Sequence, residues 1–550
     1  MQLDSQNVTQ ETLNHLGLVA ATGKDLRIAE LIDEAIPTKD YRRIVSTGKA
    51  AMAMIINGLG FSNRQLYLVS DFFQNKPVDR LLGDGIKAEH LNDDSLGKAL
   101  DEIAEYGASR LFGEVALKIA MEHKLLSKFA RIDTTSFSLE GAFDSSPPEE
   151  EAIRVTHGYS KDNRPDLKQV ILSLIMTGPS FPIWMEPLSG NTSDKTSLLQ
   201  TLQSMREFRK QLKNPCDPSM LHIADSALYS AEGLLKYADF YWVTRVPETL
   251  LEAKSLSSQT DAKISWQSTE DKNYRFSEVQ SNYGGVKQRW ILVFSQQAFD
   301  RKKKTFEKRL TKKTEELEKA LWHLGNQLFK CPEDAEKAII SITKQYPMHR
   351  VSFETTPIVR YQGRGRPKPN SKSQTTGYKI QAKASLNKIK VQKALNKKGR
   401  FILATNQLNE QQLSSAKILA EYKEQQQVER GFRFLKDPWF LVNQIFLKSP
   451  KRIEALMAVM TLCLLVYNVA QNKLRKALKK AKQTVPNQLK KPIQNPTMRW
   501  IFQMFEDILI LKIKDNLGNV VQELISNLKS YHVNIIKLMG EHACQIYQVS

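Results

Sequence analysis

The stretch EYKEQQQVERGFRFLK, residues 421–436, carries the pattern from which the fold is inferred. Read as one helix at about 100° per residue, it places a phenol, an amide, one carboxylate and two cations on a single stripe. These stripe residues are Tyr422, Gln425, Glu429, Arg433 and Lys436. Val428, Phe432 and Leu435 form a separate apolar side. Pro438 ends the helix near Lys436, where a cation suits the helix dipole. Taken alone, this pattern also fits an ordinary solvated helix.

The 550-residue chain is strongly basic, with a net charge of +21 and a pI near 9.5. The charge is uneven, because residues 351–400 contain 13 Lys/Arg and a single acid, Glu354. Residues 1–128, in contrast, contain 15 Lys/Arg and 18 Asp/Glu. This imbalance indicates a polyanionic partner, either nucleic acid or an acidic membrane surface.

Cysteine usage and the N-terminus predict a cytoplasmic protein without a membrane anchor. The four cysteines are far apart, which argues against a disulfide framework or a zinc site. The first residues, MQLDSQ, lack the basic and apolar segments of a signal peptide. The apolar run from residue 455 to 470 contains Thr461 and Asn468, and a buried core helix is the better interpretation.

Hydrophobic patterning predicts an α/β fold with a mixed sheet covered by helices. Three features support this fold class: short strands that end in or near an aspartate, a strand buried on both faces, and a later alternation of strands and helices. We expect five regions: a helical N-terminal domain (1–125), two parts of a catalytic core (126–247 and 399–470), a β-rich insertion with a helical pair and a basic linker (248–398), and a helical C-terminal region (471–550).

Two aspartates follow short hydrophobic stretches, Asp133 in Ile-Asp-Thr-Thr and Asp225 in Ile-Ala-Asp-Ser. Each alone is more often a turn or helix-cap residue. On neighbouring strands, however, the two carboxylates can converge, and Glu429 is the natural third ligand from a packed helix. Three carboxylates suit Mg²⁺, which prefers hard oxygen ligands.

Taken together, these residues resemble the DDE transposases of bacterial insertion sequences, in the IS-four-like superfamily with its Tyr-x2-Arg-x3-Glu-x6-Lys signature. Tyr422, Glu429 and Lys436 match the signature, whereas Gln425 stands in place of its arginine. The other similar stretches are residues 158–169, 187–191, 224–229 and 244–247. The long interval between Asp225 and Glu429 is similar to members that carry a β-strand insertion domain.

The resemblance implies a ribonuclease H-like core in which Asp133, Asp225 and Glu429 hold two Mg²⁺ ions, with Mn²⁺ able to substitute. It also implies cutting at terminal inverted repeats and joining to target DNA, by a homodimer acting on double-stranded DNA in a bacterial cytoplasm, associated with the nucleoid. No membrane is expected. Tyr422 and Lys436 would hold phosphates beside the cut bond, and Arg433 could compensate for Gln425.

Further DNA contacts are expected outside this constellation. Lys161 lies in the family-like stretch 158–169. Arg364 and Arg366, in Gly-Arg-Gly-Arg-Pro, resemble the core of an AT-hook, which enters a narrow minor groove. A flexible basic linker that touches phosphates without sequence preference is the better interpretation of these two arginines.

Two other functions fit the same residues. A catalytically inactive, transposase-derived DNA-binding protein would explain Gln425, and a ribonuclease H-like nuclease or resolvase would cut DNA without strand transfer. Joining of DNA ends discriminates among the three hypotheses.

Overall fold

The computed structural model describes residues 8–38, 42–61, 68–141, 143, 152–161, 164–178, 180–211, 220–361, 373–424, 426–437, 447, 449–515, 517 and 519–550. The chain forms two compact units. The first unit contains residues 1–243 and 420–550, and the second unit contains residues 244–419.

The N-terminal part of the first unit consists mainly of short helices with buried apolar faces. Ser46 caps one of them, since its hydroxyl accepts a hydrogen bond from the backbone N–H of Lys49 at 3.2 Å. The elements are β1 (Val8–Thr12), α1 (Leu16–Asp25), α2 (Ile28–Ala35), α3 (Thr47–Leu59), α4 (Val69–Phe73), α5 (Val78–Leu82), α6 (Asp93–Tyr106) and α7 (Ala108–Glu122).

A mixed sheet follows, with strand order β4-β3-β2-β5-β6 in the first unit. The elements here are β2 (Phe129–Leu139), β3 (Lys168–Thr177), β4 (Phe181–Ser189), α8 (Asp194–Gln211), β5 (Leu221–Ala224), α9 (Ala231–Lys236) and β6 (Tyr241–Arg245). The first three strands are antiparallel neighbours, and β5 runs parallel to β2. Numbered by sequence, the order is 3-2-1-4-5, which is the ribonuclease H-like arrangement, and the predicted α/β fold class is confirmed.

The second unit contains antiparallel strands and a long helix. Its elements are α10 (Leu251–Ser258), β7 (Gln267–Ser268), β8 (Tyr274–Ser281), β9 (Gln288–Ser295), α11 (Gln296–Asn326), α12 (Pro332–Lys344), β10 (His349–Tyr361), β11 (Ser373–Leu386), α13 (Lys388–Asn396) and β12 (Arg400–Thr405). Strands β12, β9, β8 and β7 are successive neighbours in a sheet. The β10–β11 hairpin packs on α11 and α12 around Leu317, Leu321, Ile339 and Ile380.

Three helices follow in the chain: α14 (Ser415–Lys423), α15 (Gln426–Leu435) and α16 (Pro450–Ala481). The prediction of one continuous helix over 421–436 is wrong, because α14 ends at Lys423 and α15 begins at Gln426. Among the described residues, α16 is the one helix long and apolar enough to cross a membrane, and 89% of its apolar window is buried within the protein. Burial against α3, α6, α7 and β4 explains its apolar composition.

The C-terminal tail contains strands as well as helices, which differs from the helical expectation for 471–550. Its elements are β13 (Val485–Pro486), β14 (Pro492–Ile493), α17 (Met498–Met504), β15 (Leu509–Lys514), β16 (Val520–Ser526), α18 (Ser530–Met539) and α19 (Glu541–Ile546). Strand β15 pairs with both β1 and β16. The alternation Leu509, Leu511 and Ile513 is a strand pattern, and pairing with β1 at the far end of the chain completes this small sheet.

Candidate active site

Asp133 lies in the middle of β2, a strand with buried side chains on both faces. Its neighbours Ile132 and Thr134 are buried, and its position opposite Leu174 of β3 is set by the antiparallel register. A carboxylate within such a strand loses much of its hydration, so its protonation depends strongly on the charges around it.

Asp225 stands at the same level on the neighbouring strand. The parallel register pairs Arg131 of β2 with Ile223 of β5, and each aspartate is two residues further along the chain. Asp225 follows the last residue of β5 and is exposed. One of its carboxylate oxygens accepts a hydrogen bond from the backbone N–H of Ala227 at 2.8 Å, which caps a short turn of 3₁₀ helix.

Glu429 lies in the first turn of α15 and is exposed. The helix is held by its apolar side, as the sequence predicts, because Val428, Phe432 and Leu435 are all buried. Because α15 packs against β2, the first turn of α15 lies next to the strand that contains Asp133.

Electrostatics link the three acids. Burial raises the pKa of Asp133 to about 6, and the negative charges of Asp225 and Glu429 act in the same direction. A hydrogen bond from the backbone N–H of Thr134 and the positive charge of Lys161 oppose this rise. The structure therefore places Asp225 and Glu429 each within electrostatic range of Asp133.

The three carboxylates do not form a closed ligand set in their present side-chain positions. Among the residues that the structure describes, no group of three or more His, Cys, Asp or Glu side chains is arranged to hold a metal ion. The chemistry of the donors nevertheless fits a divalent cation, because a partly buried carboxyl group with two further acids around it is stabilised by nearby positive charge.

Lys161 lies beside Asp133. Its ammonium group donates hydrogen bonds to the carbonyl oxygen of Thr134 at 2.9 Å and to the hydroxyl of Thr134 at 3.0 Å. It also pairs with Asp194 at 3.1 Å, and Asp194 accepts a hydrogen bond from the Thr134 hydroxyl at 2.9 Å. Sequence reasoning missed Asp194, a fourth acid near the site at the start of α8.

The break between α14 and α15 divides the predicted stripe. Tyr422 lies on α14, whereas Glu429 and Arg433 lie on α15, so a single helical face does not relate them. Arg433 is exposed. Lys436 follows α15, and its ammonium group lies 5.7 Å from the ring centroid of Phe137 on β2. Lys436 is thus held against the strand of Asp133.

A buried ion pair joins β2 to the end of α14, and sequence reasoning missed it. The guanidinium group of Arg131 donates to the carboxylate of Glu421 at 2.6 Å, and their side chains are 4% and 16% exposed. A charged residue within the apolar stretch Phe129–Ile132 was the available signal, since a buried cation requires a partner.

The other end of α15 is anchored by the C-terminal tail. Arg499 forms an ion pair with Asp437, two residues after the helix ends. The rings of Phe434 and Tyr467 have centroids 4.5 Å apart, and Phe434 also meets Phe61 edge to face at 6.3 Å. The helix that carries Glu429 is therefore fixed by residues from three distant parts of the chain.

Three of the predicted site residues, Gln425, Arg364 and Arg366, lie outside the described residues. For these three, the sequence interpretation stands as a prediction.

Comparison with known proteins gives two family matches. A model of the family described as "Transposase DDE domain" matches residues 128–466, which is more than half of the chain. A model of a domain of unknown function (DUF4277) matches residues 8–117. No curated protein matches the chain.

A search of solved structures finds a chain of the structure titled "Crystal structure of a pre-cleavage Mos1 transpososome", at 13% sequence identity and a TM-score of 0.15. The match covers 38% of this chain and 61% of that chain. The family match over residues 128–466 includes both aspartates, the second unit and Glu429, and it confirms the resemblance found in the sequence. This chain belongs to the transposase DDE domain family.

Proposed function

We propose that this protein is a DNA transposase that cuts the ends of its own element and joins them to target DNA. The observation that carries the proposal is the grouping of Asp133, Asp225 and Glu429, in which the charges of the latter two raise the pKa of the first. Two of the acids come from adjacent parallel strands, and the third comes from a helix packed on one of those strands.

The same three acids are proposed to hold two Mg²⁺ ions, with Mn²⁺ as a substitute. When bound, such ions activate a water or a 3′-hydroxyl and stabilise the leaving oxygen of a phosphodiester. Asp133 is held in place by its strand and would supply one ligand. Asp225, whose carboxylate caps a turn, would supply a second ligand, and Glu429 would complete the set by rotation of its exposed side chain.

The remaining site residues are proposed to position DNA. Lys436 lies against β2 and would bring its charge to a phosphate beside the cut bond, and Tyr422 would donate a hydrogen bond from its hydroxyl. Arg433, exposed on α15, would supply the cation that Gln425 does not. Lys161 would contact the phosphate backbone of DNA. In the absence of DNA, the neighbouring carboxylate of Asp194 balances its charge. Arg364 and Arg366 would contact DNA, either in a narrow minor groove or through phosphates.

The proposed partners are the terminal inverted repeats of the element and a target duplex. Two copies of the chain would act together on two ends, as a homodimer in a bacterial cytoplasm, bound to the nucleoid. The net charge of +21 supports a polyanionic partner.

The test is a cleavage and joining assay with purified protein, a labelled duplex that carries the native ends, and a supercoiled plasmid. The wild type is expected to nick the end and join it to the plasmid when Mg²⁺ is present. D133N, D225N and E429Q should each reduce both steps to background while binding the duplex as the wild type does. E410Q, which changes an exposed acid on the second unit, should retain both steps.

Two other outcomes would each indicate a different function. Cleavage without joining would indicate a nuclease or resolvase, and duplex binding by a wild type that never cleaves would indicate a DNA-binding protein derived from a transposase. Wild-type cleavage by E429Q would refute the proposed site.

A further inference from the structure

Helix α11 divides into a cationic part and a packed part. Residues 301–313 contain eight Lys/Arg and one acid, Glu307. The buried residues of the helix, Leu317, Leu321 and Leu324, all follow this segment. No residue between 296 and 316 is buried. The first five turns of the helix therefore extend beyond the core of the second unit. A helical segment with few packing contacts and many like charges is only marginally stable without a binding partner.

The cations occupy one side of this helical segment. Arg301, Lys304, Lys308 and Lys312 are separated by 3, 4 and 4 residues, so their side chains form one row along the helix. Phe306, which is partly buried, projects from a different side. At about 1.5 Å per residue the row is about 16 Å long. We call these four residues the cationic row.

Neighbouring acids balance the cationic row only in part, since Lys312 interacts electrostatically with Glu316, one turn further along the helix. The ion pairs within this segment are Lys303 with Glu307 and Lys313 with Glu316. No residue of the row forms an ion pair within the described part of the chain. Like charges four residues apart destabilise a helix by about 0.2–0.5 kcal/mol per pair, and the row contains two such pairs in succession. A bound polyanion would remove this repulsion.

We propose that the cationic row binds the phosphate backbone of duplex DNA. The proposal rests on the proposed function and adds a contact surface formed by residues of the second unit alone. Four cations spaced about one helical turn apart suit a row of phosphates better than a folded acidic protein, because no exposed apolar side chain interrupts the row. The ammonium group of Lys398, just after α13, lies 5.4 Å from the ring centroid of Phe306 and adds a further cation beside α11.

Such contacts are made to phosphates and carry no sequence information. Their signature is the dependence of affinity on salt, since each phosphate contact contributes about 0.9 to the slope of log K against log salt concentration. Loss of the four contacts should therefore reduce the slope by about 3 to 4.

The experiment compares two full-length quadruple variants with the same net charge. The first is R301Q/K304Q/K308Q/K312Q. The control is K479Q/K480Q/K491Q/K537Q, which changes four exposed lysines of the first unit. The affinity for a fluorescent duplex without element ends is measured by anisotropy between 50 and 300 mM salt, and circular dichroism verifies that both variants are folded.

The expected result is a slope reduced by about 3 to 4 in the cationic-row variant and by less than 1 in the control. Equal slopes in the cationic-row variant and the wild type, equal losses in both variants, or tighter wild-type binding to an RNA duplex than to the DNA duplex would overturn the proposal. A cationic-row variant that still cleaves element ends at low salt leaves the proposed function intact. Absence of duplex binding by the wild type would count against both the cationic-row proposal and the proposed function.

Discussion

Arg131 on β2 and Glu421 at the end of α14 form a buried ion pair at 2.6 Å between residues 290 positions apart. Arg131 is two residues before Asp133, and Glu421 is eight residues before Glu429. The pair therefore connects the strand of one proposed ligand to the helical segment that leads into the other.

Removal of one partner should destabilise the first unit. E421Q leaves the guanidinium group of Arg131 buried without its counter-charge, and we expect the free energy of unfolding to fall by about 3 kcal/mol. The double variant R131M/E421L should recover most of this loss, because an apolar pair of similar volume avoids the cost of burying charge. Urea denaturation of both variants measures the two effects. If E421Q unfolds at the same urea concentration as the wild type, this account of the pair is wrong.

Arg499 should restrain the end of α15. R499A removes the ion pair with Asp437, and amide hydrogens near residues 430–436 should then exchange faster, by up to about fivefold, because a partly exposed pair contributes at most about 1 kcal/mol. R452A is the control, since it also removes a partly exposed arginine–aspartate pair, with Asp101, but one that joins α16 to α6. Hydrogen exchange followed by mass spectrometry distinguishes the two variants. Faster exchange near 430–436 in both variants, or in neither, would contradict the role of Arg499.

Glu186 should make stability fall as the pH rises. Burial raises the pKa of its carboxyl group to about 7, above the usual value of 4.5, although Trp184 and Ser204 donate hydrogen bonds to it. The protonated form is favoured in the folded state, so its stabilising contribution is complete below pH 4.5 and is lost as the pH rises through 7. The slope within this window is at most about 1.4 kcal/mol per pH unit.

The variant E186Q tests this dependence, because glutamine mimics the protonated acid. Melting temperatures measured from pH 5 to 8 should decline less steeply in E186Q than in the wild type. A parallel decline in the two proteins would mean that Glu186 does not contribute to it.

The sheet was predictable because its strands are local apolar runs. The strands β3 (Lys168–Thr177) and β5 (Leu221–Ala224) have this pattern. The apolar side of α15 was predictable for the same reason, since Val428, Phe432 and Leu435 follow helical periodicity.

The break between α14 and α15 was not predictable from local preference. Residues 424–427 are Glu-Gln-Gln-Gln, all good helix formers, and neither Pro nor Gly interrupts them. Packing of α15 on β2 and the pairing of Glu421 with Arg131 are tertiary contacts between residues distant in sequence. The pairing of β15 with β1 was also not predictable, because it joins strands from opposite ends of the chain.

The most direct test of the central claim is a titration of the wild type with Mn²⁺, followed by electron paramagnetic resonance, with D133N, E429Q and the nearby control E424Q measured alongside. The account predicts that the wild type and E424Q bind Mn²⁺ and that D133N and E429Q bind it much more weakly. Equal Mn²⁺ binding by all four proteins would contradict a cation site shared by Asp133 and Glu429.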